Sequence, residues 1–245
     1  IYVAEDHAET IVAAAGIDLN VAGVTVIGLG RGSRRPTITL STLTTATFKI
    51  SAANVLVRGF RFVNAIDSLV KVIDVGANFF TGEDLDFVGA STFEILSFVN
   101  IATTFDNTTL RRCTALQPTD PAGTDGGANT GFVYMVDSEN VTLEDCDLCG
   151  MFETAIVHNR TTAAKNLRVL RCTGQQLLSG AEPFQLVAGA TGYAKDCGFL
   201  TPAEIAATEA TLVGTIGDGF FLLNSQFGND GAAGGQGGIA PTAAS

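Results

Sequence analysis

"NVTLEDCDLCGM", residues 140–151, crowds two cysteines and three carboxylates into a dozen positions. On its own it has the look of a reactive site. Its neighbours change that reading: "NTTLRRCTAL" (107–116), "NLRVLRCTG" (166–174), "NVLVRGFRF" (54–62) and "TGYAKDCGF" (191–199) carry the same phrase. In four of the copies an Asn stands six positions before the Cys or its replacement: Asn54 before Phe60, Asn107 before Cys113, Asn140 before Cys146 and Asn166 before Cys172. The fifth copy has Thr191 and Cys197.

Within each copy, apolar or small residues alternate with polar ones, as in a strand with one buried face. In the 140 copy Val141 and Leu143 point inward and Glu144 and Asp145 outward. The three-residue step from Leu143 to Cys146 breaks the period once, so the chain turns a corner there while both flanking strands keep facing the core. The corner pairs Arg111-Arg112, Glu144-Asp145 and Lys195-Asp196 are charged, as a convex solvated bend requires. Successive cysteines at 113, 146, 172 and 197 lie 33, 26 and 25 residues apart. A self-similar unit of that length carrying several short strands is the signature of a solenoid, whose coils bury their apolar faces only against one another. The cysteines then form an internal ladder, continued by Phe60, Leu85 and Ser225. A position that accepts Phe, Leu and Ser behaves as a small buried hydrophobe and not as a metal ligand.

Composition agrees with this class. Hydrophobic residues make up 46% and charged residues 16%, which excludes disorder, and 28 glycines with many Thr and Val favour turns and strands. A net charge of −11 opposes nucleic acid and anionic lipid, so neither is expected as a partner. No apolar run approaches the roughly 20 residues of a membrane helix, and no secretion signal is visible, so a soluble protein is expected. The first residue is Ile1, from which a further upstream segment is expected. Five cysteines is an odd count and does not suggest a disulfide framework.

"NVTLEDCDL" and "NTTLRRCTA" resemble the repeat of right-handed parallel β-helices, the pectin-lyase-like fold of pectate lyases and of many tailed-phage proteins. The resemblance spans residues 17–227. The opening "AEDHAETIVAAAG" with "GVTVIGLGRGSRRPTITL" and "ANVLVRGFRFVNA" is similar to the N-terminal third of phage β-helix proteins that decorate virion heads. That resemblance implies a homotrimeric knob seated on the major capsid protein or another virion protein, located in the virion, with surface polysaccharide weighed as a further partner.

The chain is thus expected to be all-β and organised in three parts. Residues 1–16 would hold a strand and a capping helix, with Asp6 as N-cap, Glu9 closing a capping box and Gly16 as the stop. His7 would be exposed in its first turn. Residues 17–227 would form the β-helix, and 228–245 a low-complexity Gly/Ala-rich tail ordered by other chains. A second helix is expected in "TPAEIAATEATL", with Thr201 as cap, Pro202 in the first turn and Glu204 three later. "GLGRG" near residue 30 is a turn and not a phosphate loop, because the strand "TITL" follows where a helix should. Arg31, Arg34 and Arg35 form the densest positive patch, a solvated turn or an anchor for an acidic partner.

Enzyme chemistry is the alternative. Glu83, Asp84 and Asp86, then Asp137 and Glu139, then Glu144, Asp145 and Asp147 offer carboxylates that neighbouring coils could pair for glycoside cleavage. "VHNR" adds His158 and Arg160. Yet corner carboxylates belong on any solvated bend. The chain has no V-W-x-D-H with R-x-P-x-x-R, no paired Asp with G-H-G and no Y-G-F-D-P-H, the motifs of pectate lyases, polygalacturonases and alginate epimerases. Trp is absent, Tyr numbers 3, and many of the 16 Phe sit at inward positions, which leaves few aromatic platforms for sugar. No catalytic, cofactor-binding or metal-ligating residue is therefore assigned, and no cofactor is expected. A non-enzymatic virion structural protein is the leading reading, ahead of a polysaccharide lyase, hydrolase or tailspike-type protein and of a non-viral adhesive β-helix.

Overall fold

A computed structural model of the protein describes residues 1–90, 93–118, 131–152, 154–177, 181–201, 214–215 and 219–229. The chain winds into a right-handed parallel β-solenoid with three faces, two sheets of nine strands and one of eight. Each coil contributes one strand to each sheet in turn. Thr142–Glu144 lies in the first sheet, Asp147–Gly150 in the second and Ala155–Asn159 in the third, after which Leu167–Leu170 returns to the first. All pairing between these strands is parallel and in register, for example Leu143 with Val169 and Leu148 with Gly174.

Register explains the repeat. Val57, Leu110, Leu143 and Val169 stack inward from the first sheet, and Phe62, Phe87, Ala115 and Leu148 from the second. Phe48, Ile73, Val99, Val133, Val157 and Phe184 line the third. Phe87 is a hub of the core, its ring 5.3 Å from Phe62 and 5.7 Å from both Phe98 and Phe132.

In most coils the corner between the first and second sheets is built by one left-handed residue, whereas the second coil uses a longer connection with the 3-10 helix Gly32–Arg34. Gly59, Asp84, Arg112, Asp145, Arg171, Asp196 and Asn224 all have φ between 47° and 78°. Each stands immediately before a ladder residue: Phe60, Leu85, Cys113, Cys146, Cys172, Cys197 and Ser225. A left-handed residue costs on the order of 1 kcal/mol for a non-glycine side chain. Here it bends the chain from one sheet to the next within two residues and keeps the apolar faces of both strands aimed inward. Its N–H donates to the next coil, as Asp84 does to Arg111 and Arg112 to Glu144. The ladder residues also hand their carbonyls on, Cys113 to Asp147 N–H, Cys146 to Thr173 and Cys172 to Gly198. Phe60, Leu85 and the four cysteines are buried, and the five cysteines are free thiols. Cys149 lies outside the stack, half-buried on the outer face of the second sheet beside Leu116 and Gln175.

The recurring Asn has the same explanation at a different corner. Asn54, Asn107, Asn140 and Asn166 have φ of 60°, 60°, 57° and 55° where the chain enters the first sheet. Asn adopts this conformation more readily than other side chains bearing a Cβ.

The expected capping helix is not formed. Ala8–Ile11 is a strand, paired from Ala8 with Thr37 to Ile11 with Leu40, and Ile11 is buried. Asp6 has φ 59° and occupies the left-handed corner, not a helix N-cap. "IYVAEDHAETI" is therefore itself a coil, with Tyr2–Val3 in the first sheet and Ala8–Ile11 in the second. The capping-box spacing misleads because a corner also favours Asp followed by polar residues, while cross-coil pairing outweighs the helix propensity of so short a segment. His7 takes the ladder position of this first coil, its carbonyl accepting from Thr37 N–H, and its side chain is exposed. Strand pairing runs from Tyr2 to Asn229. The second expected helix falls on residues 202–213 and most of the tail on 230–245, outside the described residues.

Candidate functional site

Three surfaces carry the chemistry-bearing residues. The first is the charged corner. Asp84 accepts from Arg112 Nε at 2.7 Å and Arg58 Nε at 3.1 Å, while Arg111 bridges Glu83 at 3.5 Å and Glu144 at 3.0 Å. Arg171 pairs with Glu144 and with Asp145 at 2.7 Å. Hydrogen bonding to Arg112 holds the Asp84 carboxyl below its ordinary range, and Arg171 does the same for Asp145. Asp86 is shared between Arg61 at 2.7 Å and Thr114 at 2.9 Å, and Asp147 accepts from Thr173 at 2.9 Å. These carboxylates run as an alternating acid–base ladder along the solenoid axis. Asp84 and Asp145, held ionised in this way, are poorly suited to donate a proton to a leaving group.

Asp137 and Glu139 lie elsewhere, on the connection from the third sheet to the first. In the positive patch Arg34 turns back onto Glu5 and Asp6 of the first coil, so the patch is partly neutralised from within.

The second surface is the outer row of the third sheet, where Asp74, Asn100, Tyr134 and His158 stand on successive coils. Asn100 donates to Asp74 at 2.8 Å, and the Tyr134 and His158 rings meet edge to face at 5.3 Å. His158 is only 3% exposed, and its Nδ1 has no hydrogen-bond partner among the described residues. Burial, with a smaller push from the Arg160 guanidinium, holds the imidazole down to about 4. A folded-state value below the unfolded 6.5 means that the unfolded chain takes up the proton first as pH falls. Stability is therefore expected to drop between pH 6.5 and about 4 and then level off for this group. Urea midpoints across that window check it, and His158→Gln should flatten that part of the profile.

The third surface was not anticipated from sequence. A cleft of about 390 Å³ opens on the outer face of the first sheet. Thr81, Thr109 and Thr142 pair in register to form its floor, which Arg168 continues. Asn107 and Asn140 form one wall, and Phe79 closes the end. Phe79 occupies the left-handed position held by Asn in other coils, at φ 62°, and is 50% exposed. The signal was present: Phe79 stands six residues before Leu85, where the repeat calls for Asn.

Among the described residues no three His, Cys, Asp or Glu side chains gather as a metal would require, and no helix is long and apolar enough to cross a membrane. No protein-family model matches the chain, and no curated protein matches it.

Proposed function

We propose that the protein is a non-enzymatic structural component of a tailed-phage virion, a trimeric decoration protein docked end-on on the capsid. The observation that supports this most is the charged corner: the carboxylates that a polysaccharide-cleaving solenoid would present are tied to Arg58, Arg112 and Arg171 along the axis, which suits a rigid structural element better than a reactive surface. The net charge of −11 disfavours random stacking of subunits and leaves assembly to a defined contact. The resemblance of the N-terminal third to head-decorating β-helix proteins supplies the particular assembly.

Native mass measurement of the purified protein and its detection in purified particles of the encoding phage test this reading. A trimer present in many copies per particle is expected. A monomer absent from particles would overturn it.

A second reading, polysaccharide cleavage, draws on one feature, the unpartnered His158 Nδ1 beside Tyr134. Release of unsaturated or reducing ends from an anionic polysaccharide, lost on changing Asp84, Asp137, Asp145 or His158, would bring that reading forward.

A further inference from the structure

We infer that copies of the chain meet side by side and parallel through the outer face of the second sheet, with the row through Leu116 and Cys149 at the centre of the contact. Val63, Val88, Leu116, Cys149, Gln175 and Leu200 stand in register on six successive coils of that face. Five of the six are apolar and none is charged. Leu116 is 46% exposed and Leu200 43%, and Cys149 is half-buried between its neighbours on the row. A single exposed apolar side chain needs no explanation, but an unbroken line of them marks a contact surface.

The rows around it are of another kind. Beside it on the same sheet run Arg61, Asp86, Thr114, Asp147 and Thr173, while the outer rows of the first and third sheets include Arg58, Glu83, Arg111 and Asp74. The charges next to the apolar row are held along the solenoid axis. Asp86 accepts from Arg61 and Thr114, and Asp147 from Thr173. They can therefore stand at a rim without a counter-ion from across the contact, around an apolar centre, as interfaces between copies are built.

The spacing of the row selects its occupant. Rungs about 4.8 Å apart make it about 24 Å long. A surface interdigitates with it over that length only if its own side chains recur at the same interval. A helix recurs every 5.4 Å or so and would slip by about half a rung in four turns. A second copy matches at every coil. The parallel sense rests on the trimer of the reading above, because three chains around one axis point the same way. Equal coils then lie at equal height, Leu116 beside Leu116 and Cys149 beside Cys149.

Cross-linking of the intact native protein with a short bismaleimide tests this, since Cys113, Cys146, Cys172 and Cys197 are buried and Cys149 is not. Covalent dimers are expected wherever native mass measurement finds the oligomer, and Cys149→Ala should abolish them. Moving the thiol three coils along the row, Val63→Cys with Cys149→Ala, should restore them. In an antiparallel pair that links at 149, the two residues at 63 would be about 29 Å apart. Leu116→Lys, at a position exposed in the single subunit, should weaken association by about a hundredfold with circular dichroism unchanged. Linkage at 149 but not at 63 would overturn the parallel sense. An oligomer that yields no cross-link and survives Leu116→Lys would overturn this face and leave the oligomeric reading standing; a protein monomeric at every concentration would overturn both.

Discussion

Replacing Cys172 by Asp is expected to cost more than about 4 kcal/mol and leave little folded protein, whereas replacing it by Ala should cost only about 1–2 kcal/mol. Cys172 is fully buried between the rungs of Cys146 and Cys197. The thiol donates to the Leu170 carbonyl at 3.3 Å, as Cys197 does to Val169 at 3.4 Å and Cys146 to Leu110 at 3.6 Å. A carboxylate placed there would have carbonyl oxygens and the neighbouring Cys146 and Cys197 thiols beside it, partners far weaker than water, so it would be desolvated without compensation. Alanine removes one sulfur and leaves a small void between well-paired coils. Burial pushes the Cys113 thiol well up, so that rung is expected to stay protonated and unreactive in the native fold. Urea unfolding of the two variants and thiol labelling of the native protein check this; rapid labelling of Cys113, Cys146, Cys172 and Cys197 together would contradict it. The last rung shows which polar side chain the ladder tolerates. Ser225, half-buried where the stack ends, donates to Ala194 and Leu223 carbonyls and accepts from Cys197 N–H.

That ladder was legible in the sequence because a solenoid repeats its constraints. One buried position in one coil is ambiguous, but Phe60, Cys113, Cys146 and Cys172 at a common offset after Asn define a register. The corner was legible too, from the three-residue step between Leu143 and Cys146. Three things were not. Asp6 and Glu9 satisfy a helix rule and a coil corner equally well, and only the pairing of Ala8–Ile11 with Thr37–Leu40 separates them. The carboxylates of adjacent coils could not be told from a catalytic pair until Arg58, Arg112 and Arg171 were placed against them. The cleft depends on residues from four coils, spanning Phe79 to Arg168, which no local motif joins. Cross-coil neighbours are set by coil length, and coil length varies with the number of residues between strands, as between Gln117 and Gly131.

On the proposed end-on docking, a triple variant, Tyr2→Asp, Val12→Lys and Val21→Asp, should lose attachment to particles while keeping the circular dichroism and melting temperature of the parent. All three side chains are exposed, Tyr2 at 74%, so the substitutions bury no charge in the isolated subunit. Surface changes of this kind usually shift stability by less than about 0.5 kcal/mol. In the docked state the same positions would lie beneath a partner, where an unpaired charge is costly, typically by 2–5 kcal/mol for each that finds no counter-ion. Three such charges would be enough to empty the site. The far end of the solenoid offers an internal control. Phe221 and Leu223 are also exposed on a terminal strand, Gly219–Leu223, and charging them should leave decoration intact if the first coil is the docking end. Loss of attachment from the far-end variant alone would reverse the orientation. Normal decoration by both variants would remove end-on docking altogether and leave the flanks of the solenoid, including the cleft between Phe79 and Arg168, as the surfaces through which the protein meets its partners.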